Sequence, residues 1–244
     1  MKREVLCVLV VFLAGCLGGV PPVGSSDAPA YPDRPTPLSR DNALAYTTGY
    51  ERAAEYRDRK EIGNRVELGC NSTLINETAA GFYIAAGCGM TVYGASGGVG
   101  NGGPGHGRLY FVNDTTTIRM TPRDAPERSS ETTEKRGTAE TTLYYSNFDG
   151  NDHALTTTLT YLGSTPPERV LRSTDSIDAQ QGVERGDVPL RTGTYRITVR
   201  LDDGSTVTRR WAVSERSARD SNALSVYVTP DGDLAVVDRP WIRV

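Results

Sequence analysis

Gly94-Ala95-Ser96-Gly97-Gly98 satisfies G-x-S-x-G, the spacing with which a sharp strand-to-helix turn exposes a serine hydroxyl as a nucleophile. His106 or His153 as base, with Asp149 or Asp152 to orient it, would complete a hydrolytic triad by residue type. Such an elbow needs a helix behind the serine, because the helix N–H groups and dipole help to hold an oxyanion. Here "GGVGNGGPGHG" follows Ser96, and a run so rich in glycine does not form a helix. Gly98, Gly100 and Gly103 also match the phosphate-cradling G-x-G-x-x-G and lose their rationale for the same reason. The run reads as a mobile glycine-rich hairpin loop. No catalytic residue is assigned, and a non-enzymatic protein is expected.

A second cluster lies in "NFDGNDHAL". Asn147, Asp149, Asn151 and Asp152 offer oxygens of the kind calcium accepts, but the EF-hand spacing requires a glutamate at the twelfth position, where Thr158 stands. His153 in this turn resembles the first copper-ligating histidine of cupredoxins. A blue-copper site also requires a cysteine thiolate and a second histidine, and residues 154–244 contain neither, nor any methionine. No metal and no cofactor are therefore assigned.

The strongest local chemistry is at the N-terminus. The apolar run Val5–Ala14, behind Lys2 and Arg3, is too short for a helix that must cross about 30 Å of hydrocarbon. A basic start, a short apolar stretch and a small-residue exit are the parts of a secretory leader. The exit Leu13-Ala14-Gly15-Cys16 resembles the lipobox of lipoprotein signal peptides, which implies cleavage before Cys16 and a lipid on its thiol. Residues 1–15 are thus expected to be a signal peptide, with the chain held at the outer face of the cytoplasmic membrane. Cys7 would leave with the leader and Cys16 would carry lipid, so Cys70 and Cys88 are left as an even pair in an exported chain, which reads as a disulfide. Asn71, Asn76 and Asn113 each open an N-x-S/T sequon, consistent with export and glycosylation.

The formal net charge is −3, and loss of Lys2, Arg3 and Glu4 makes the exported chain one unit more acidic. That balance argues against a nucleic-acid partner, which needs a basic surface to displace phosphate counterions. The cationic side chains are 24 Arg to 3 Lys. This bias, joined to the lipobox and the sequons, resembles the surface lipoproteins of halophilic archaea.

Residues 16–37 read as a lipid-anchored, proline-rich stalk, since six prolines with glycine and serine bury too little surface to fold. From Ser39 as N-cap, "RDNALAYTTGYERAAEYRDRKEI" predicts a helix that ends at Gly63, with Leu38 stapled onto Ala43. Its inward face is Ala43, Tyr46, Tyr50, Ala53 and Ala54, and Glu55 with Arg59 is expected as an exposed i,i+4 pair. "RVELGC" and "FYIAAGCGMTV" alternate with period two and place Cys70 and Cys88 on apolar strand faces. With "RLYFV" and "TIRM" they make residues 38–120 a helix packed on an antiparallel sheet. Residues 121–137 read as a polar linker.

Residues 138–244 predict seven short strands, with Asp203-Gly204 and Asp231-Gly232 as hairpin turns, the mark of a β-sandwich. "GTYRITVRLDDGSTVTRRWAV" resembles the closing hairpin, and "NFDGNDHALTTTLTYL" the opening strands, of immunoglobulin-like modules on archaeal surface proteins. The fold expected is mainly β: a helix on an antiparallel sheet, followed by an immunoglobulin-like β-sandwich. The function expected is that of a non-enzymatic cell-surface lipoprotein for envelope structure, adhesion or ligand binding. Its partners would be the membrane, through the lipid, and an extracellular protein or glycan. The alternatives are a secreted hydrolase using Ser96, and a solute-binding lipoprotein of a transporter. The second of these needs two α/β lobes, and the chain shows no βαβ alternation.

Overall fold

The computed structural model describes residues 28–59, 65–93, 99–102, 107–120, 122–124, 139–214 and 223–239. The lipobox with Cys16, Gly63, the Ser96 elbow and His106 lie outside these residues.

The helix α1 runs Arg40–Arg59. Ser39 caps it: its backbone N–H donates to Asn42 Oδ1 at 2.6 Å, and the Asn42 N–H reaches back to Ser39 Oγ at 3.5 Å. This reciprocal pair has the form of a capping box with asparagine in place of glutamate. Ala43, Tyr46, Ala53 and Ala54 are buried, and Leu38 joins the same apolar cluster. Residues 28–37, expected to finish a free stalk, instead lie against the folded body. The Tyr31 ring is 4.6 Å from that of Tyr50 and lies beneath the Arg57 guanidinium, and Arg34 donates to Thr117 Oγ1 at 3.3 Å.

The helix covers a sheet of β1 (Arg65–Thr78), β2 (Gly81–Tyr93), β3 (Val99–Gly102), β4 (Arg108–Val112) and β5 (Thr117–Arg119), ordered β1-β2-β4-β5 with β3 also paired to β2. Part of the glycine-rich run is therefore a strand, not a loop. Cys70 and Cys88 are direct register partners on β1 and β2, with Cα atoms 4.0 Å apart, and they form the expected disulfide. Phe82, Ile84, Ala86, Tyr110 and Val112 face the helix. Their neighbours Tyr83, Leu109 and Phe111 are equally buried on the opposite face. "FYIAA" and "LYFV" are continuous apolar runs because both sides of this sheet are covered.

The cover on the second side is the β-sandwich. Its inner sheet is ordered β14-β13-β7-β10-β6 and its outer sheet β12-β11-β8-β9. The inner strands are β6 (Pro122–Asp124), β7 (Ala139–Asn147), β10 (Gly182–Leu190), β13 (Ala223–Val228) and β14 (Leu234–Arg239). The outer strands are β8 (His153–Tyr161), β9 (Glu168–Ile177), β11 (Gly193–Leu201) and β12 (Thr206–Val213). Leu143, Tyr145, Leu155, Ile197, Val199 and Trp211 belong to the core between the two sheets. Tyr227, Ala235 and Val237 point the other way, toward Tyr83, Leu109 and Phe111. The molecule is a stack of four layers, helix, first sheet, inner sheet and outer sheet, and the outer sheet ends the stack.

Three further expectations need correction. The start of the predicted linker, Pro122–Asp124, is a strand parallel to β10; the rest lies outside the described residues. The sandwich has β10 in addition to the seven strands expected, and "ERVLR" extends to Ile177. Strand β10 escapes a period-two reading because a bulge between Arg185 and Val188 shifts its register, and its sequence carries charges and a proline. Glu55 is not surface-exposed: it accepts from Arg108 at 3.2 Å and from Arg119 at 3.3 Å.

Candidate functional site

The densest polar cluster in the first module holds the helix to the sheet. Glu51, 1% exposed on α1, accepts from the Tyr110 hydroxyl and from Arg119 Nε at 2.8 Å, and Arg119 also reaches Glu55 and Asp58. Burial raises the Glu51 pKa against the lowering effect of Arg119. Two arginines between carboxylates on one side and strands on the other leave no atom of Glu51 for a substrate. The cluster is a buried latch, of the kind that costs much to break by removing one partner.

His153 is held differently from any triad base. Its Nε2 lies 3.0 Å from Asp149 Oδ2 and its Nδ1 3.4 Å from Asp202 Oδ1. Burial alone would lower its pKa, but the hydrogen bonds to Asp149 and Asp202 outweigh it and raise it above 6.5. Both ring nitrogens are occupied by carboxylates, so the imidazole has no free nitrogen for a serine or for copper. The oxygen-rich turn is spent on itself. Asn147 Nδ2 donates to Asn151 O at 2.6 Å and to Asp178 O at 3.2 Å, and Asp152 Oδ1 accepts from the Ala179 N–H at 2.8 Å. Among the described residues no group of three or more His, Cys, Asp or Glu is arranged to hold a metal.

The sequon asparagines differ in their surroundings. Asn71 is exposed on β1. Asn76 donates its amide to the Tyr227 hydroxyl at 2.7 Å, across the boundary between the first sheet and the inner sheet. Asn113 caps its own turn, accepting from the Thr115 and Thr116 N–H groups and donating to Ala80 O at 3.3 Å.

What stands open is the outward face of the outer sheet. Register places Arg169, Thr160, Arg196 and Arg210 in one row, Arg172, Thr158, Thr198 and Thr208 in the next, and Thr174, Thr156, Arg200 and Thr206 in a third. The outward positions of these strands are threonine or arginine, completed by Ala154, Ser176, Thr194 and Ala212; none is acidic, aromatic or a large aliphatic residue. Threonine hydroxyls are joined across strands, Thr156 to Thr174 at 3.0 Å and Thr198 to Thr208 at 3.1 Å. Cations elsewhere in the sandwich make ion pairs: His153 with Asp149 at the turn, Arg185 with Asp175 between the sheets, Arg191 with Glu168, and Arg209 with Asp238 at the edge. Sequence reasoning missed this face, although the polar half of the alternation in "TYRITVRL" and "TVTRRWAV" spells it out.

Two stacked sheets with the Trp211 side chain buried between them define an immunoglobulin-like sandwich, and Tyr195 adds a tyrosine corner. At that corner the Tyr195 hydroxyl accepts the Arg191 N–H at 2.8 Å and donates to the Arg191 carbonyl at 3.0 Å. Residues 151–242 match the family model of the halobacterial Ig-like domain, which supports a module of the kind found in halophilic archaea. The sandwich begins before the matched region, since β7 lies at the middle of the inner sheet. No curated protein and no solved structure matches the chain.

Proposed function

We propose that the chain is a non-enzymatic cell-surface protein, anchored by lipid at Cys16, that presents its immunoglobulin-like module for adhesion or ligand binding in the envelope. The observation that carries this reading is the stack itself. Around Tyr83, Tyr110 and Phe111 the first sheet is covered on both faces, and β13 and β14 of the inner sheet pack on both sides, whereas the outward face of the outer sheet is a broad sheet surface open to solvent. That surface is regular and polar, suited to binding and without a nucleophile beside a base. A halobacterial Ig-like domain is compatible with a surface role, and no helix among the described residues is long and apolar enough to cross a membrane. Asn71, exposed on β1 where Asn76 and Asn113 are half-buried, is the sequon best placed to carry a glycan.

The test is fractionation with mass measurement of the N-terminal peptide. Lipid-modified Cys16 in the membrane fraction, and an unprocessed precursor from Cys16→Ser, are expected. An unmodified mature N-terminus downstream of Cys16 in the medium would overturn the anchoring. Fluorophosphonate labelling at Ser96 would overturn the non-enzymatic reading.

A further inference from the structure

We infer that the outward face of the outer sheet binds a linear acidic polysaccharide, one that carries carboxylate or sulfate groups along a hydroxylated chain. This rests on the surface-binding reading and names its ligand class. Charge is the first argument. Arg172, Arg196, Arg200 and Arg210 collect on one face of a chain whose net charge is −3, so the rest of the molecule is more acidic than the total shows. An acidic ligand is drawn to this face and repelled elsewhere.

Spacing is the second argument. Strands lie about 4.8 Å apart and outward positions recur about every 7 Å along them, so the face is a grid of cations and hydroxyls. A guanidinium grips a carboxylate or sulfate with two parallel hydrogen bonds. The threonine rows between the arginines supply donors and acceptors for the sugar hydroxyls, and their cross-strand pairs fix them in place. What the face lacks excludes other partners. Protein interfaces centre on aromatic residues, methionine and arginine, and of these the face offers arginine alone, with no apolar pocket or ring to form a desolvated centre around it. Unpaired bases of a single-stranded nucleic acid would need aromatic rings to stack on, and insertion at a lipid surface would need an apolar wedge.

The experiment uses the full chain in detergent micelles. Affinity electrophoresis is run against dextran sulfate and polygalacturonate, with neutral dextran as control and anionic phosphatidylglycerol vesicles as the competing surface. Arg172→Gln/Arg196→Gln/Arg210→Gln removes three charges from the face. Arg40→Gln/Arg52→Gln/Arg57→Gln removes the same number from the helix at the other end of the stack. Both acidic polymers should retard the wild-type chain and neutral dextran should not. The face variant should bind about tenfold more weakly, as the removal of three solvent-facing guanidinium groups implies, with the helix variant close to wild type. The lysine counterpart of the face variant, which keeps the charge and loses the fork, should fall between. Circular dichroism melting confirms that each variant is folded. Equal losses in both glutamine variants, no retardation by either polymer, or binding to the vesicles alone would overturn the inference. The measurement is made on purified protein, so it stands or falls apart from where the chain is anchored.

Discussion

The two sheets of the sandwich share one core but turn opposite kinds of surface away from it. The inner sheet presents Tyr227, Ala235 and Val237, and these meet Tyr83, Leu109 and Phe111 of the first sheet. Tyr83 stacks on Tyr227 with ring centroids 4.4 Å apart and meets Phe148 edge-on at 5.5 Å. The outer sheet presents threonine and arginine and meets solvent. An immunoglobulin-like module needs only its inner faces to fold, so its two outer faces are available for different tasks. Here one has become a core and the other a surface. The two modules are therefore joined through a desolvated aromatic cluster as well as through the linker.

Breaking the covered face should have the largest effect. Tyr83→Ala removes a ring that touches both modules and should cost about 3–5 kcal/mol in denaturant unfolding. The first sheet and the sandwich should then lose cooperativity, with separate transitions by two spectroscopic probes. A single unchanged transition would show that the modules do not depend on this contact.

The disulfide comes next. It ties β1 to β2 beneath the helix, and Cys70→Ser/Cys88→Ser should cost about 3 kcal/mol for a loop of this length. The loss should fall on the first sheet, and the helix-side cluster should exchange its amide hydrogens before the sandwich core does.

A smaller effect is expected from His153, at the turn where the inner and outer sheets meet. Because its pKa is raised in the folded state, its contribution is fully present below about 6.5 and is lost as pH rises through the folded value. Asp149 behaves oppositely. Burial would raise its pKa, but the bonds from His153 and Asn151 lower it, so its contribution is lost as pH falls below the usual carboxylate range. The wild-type melting temperature should therefore fall as pH rises above about 6.5, and His153→Gln should flatten that slope. Equal slopes would show that the clamp does not act on stability.

The smallest effect sharpens the contrast. Arg196→Gln on the open face should change stability by no more than about 0.5 kcal/mol, as surface substitutions generally do. A larger loss would mean that this face, like its counterpart, is part of the fold.

Much of the architecture follows from local pattern. Ser39 and Asn42 start the helix because their side chains answer the orphan N–H groups of its first turn. Asp203-Gly204 and Asp231-Gly232 turn hairpins because Gly204 and Gly232 adopt the positive φ those turns need, +97° and +86°. Cys70 and Cys88 sit on alternating apolar strands that the sequence marks, but they fall opposite each other because a bulge between Leu74 and Asn76 shifts by one residue the register set at the hairpin. Partnership between distant segments is not written in that way. The sequence marks Glu55 as polar on a helix, and only the fold brings Arg108 and Arg119 to it, from strands more than fifty residues away. "FYIAA" shows that residues of both parities are apolar, but not that Tyr227 and Phe148 would cover one parity and the helix the other. Strand β10 needed its neighbours to hold its bulged register. Period and turn chemistry act over a few residues and can be read in order along the chain. The burial of a second face, the pairing of a charge and the exposure of the threonine–arginine grid depend on which layers meet, and long-range packing decided them.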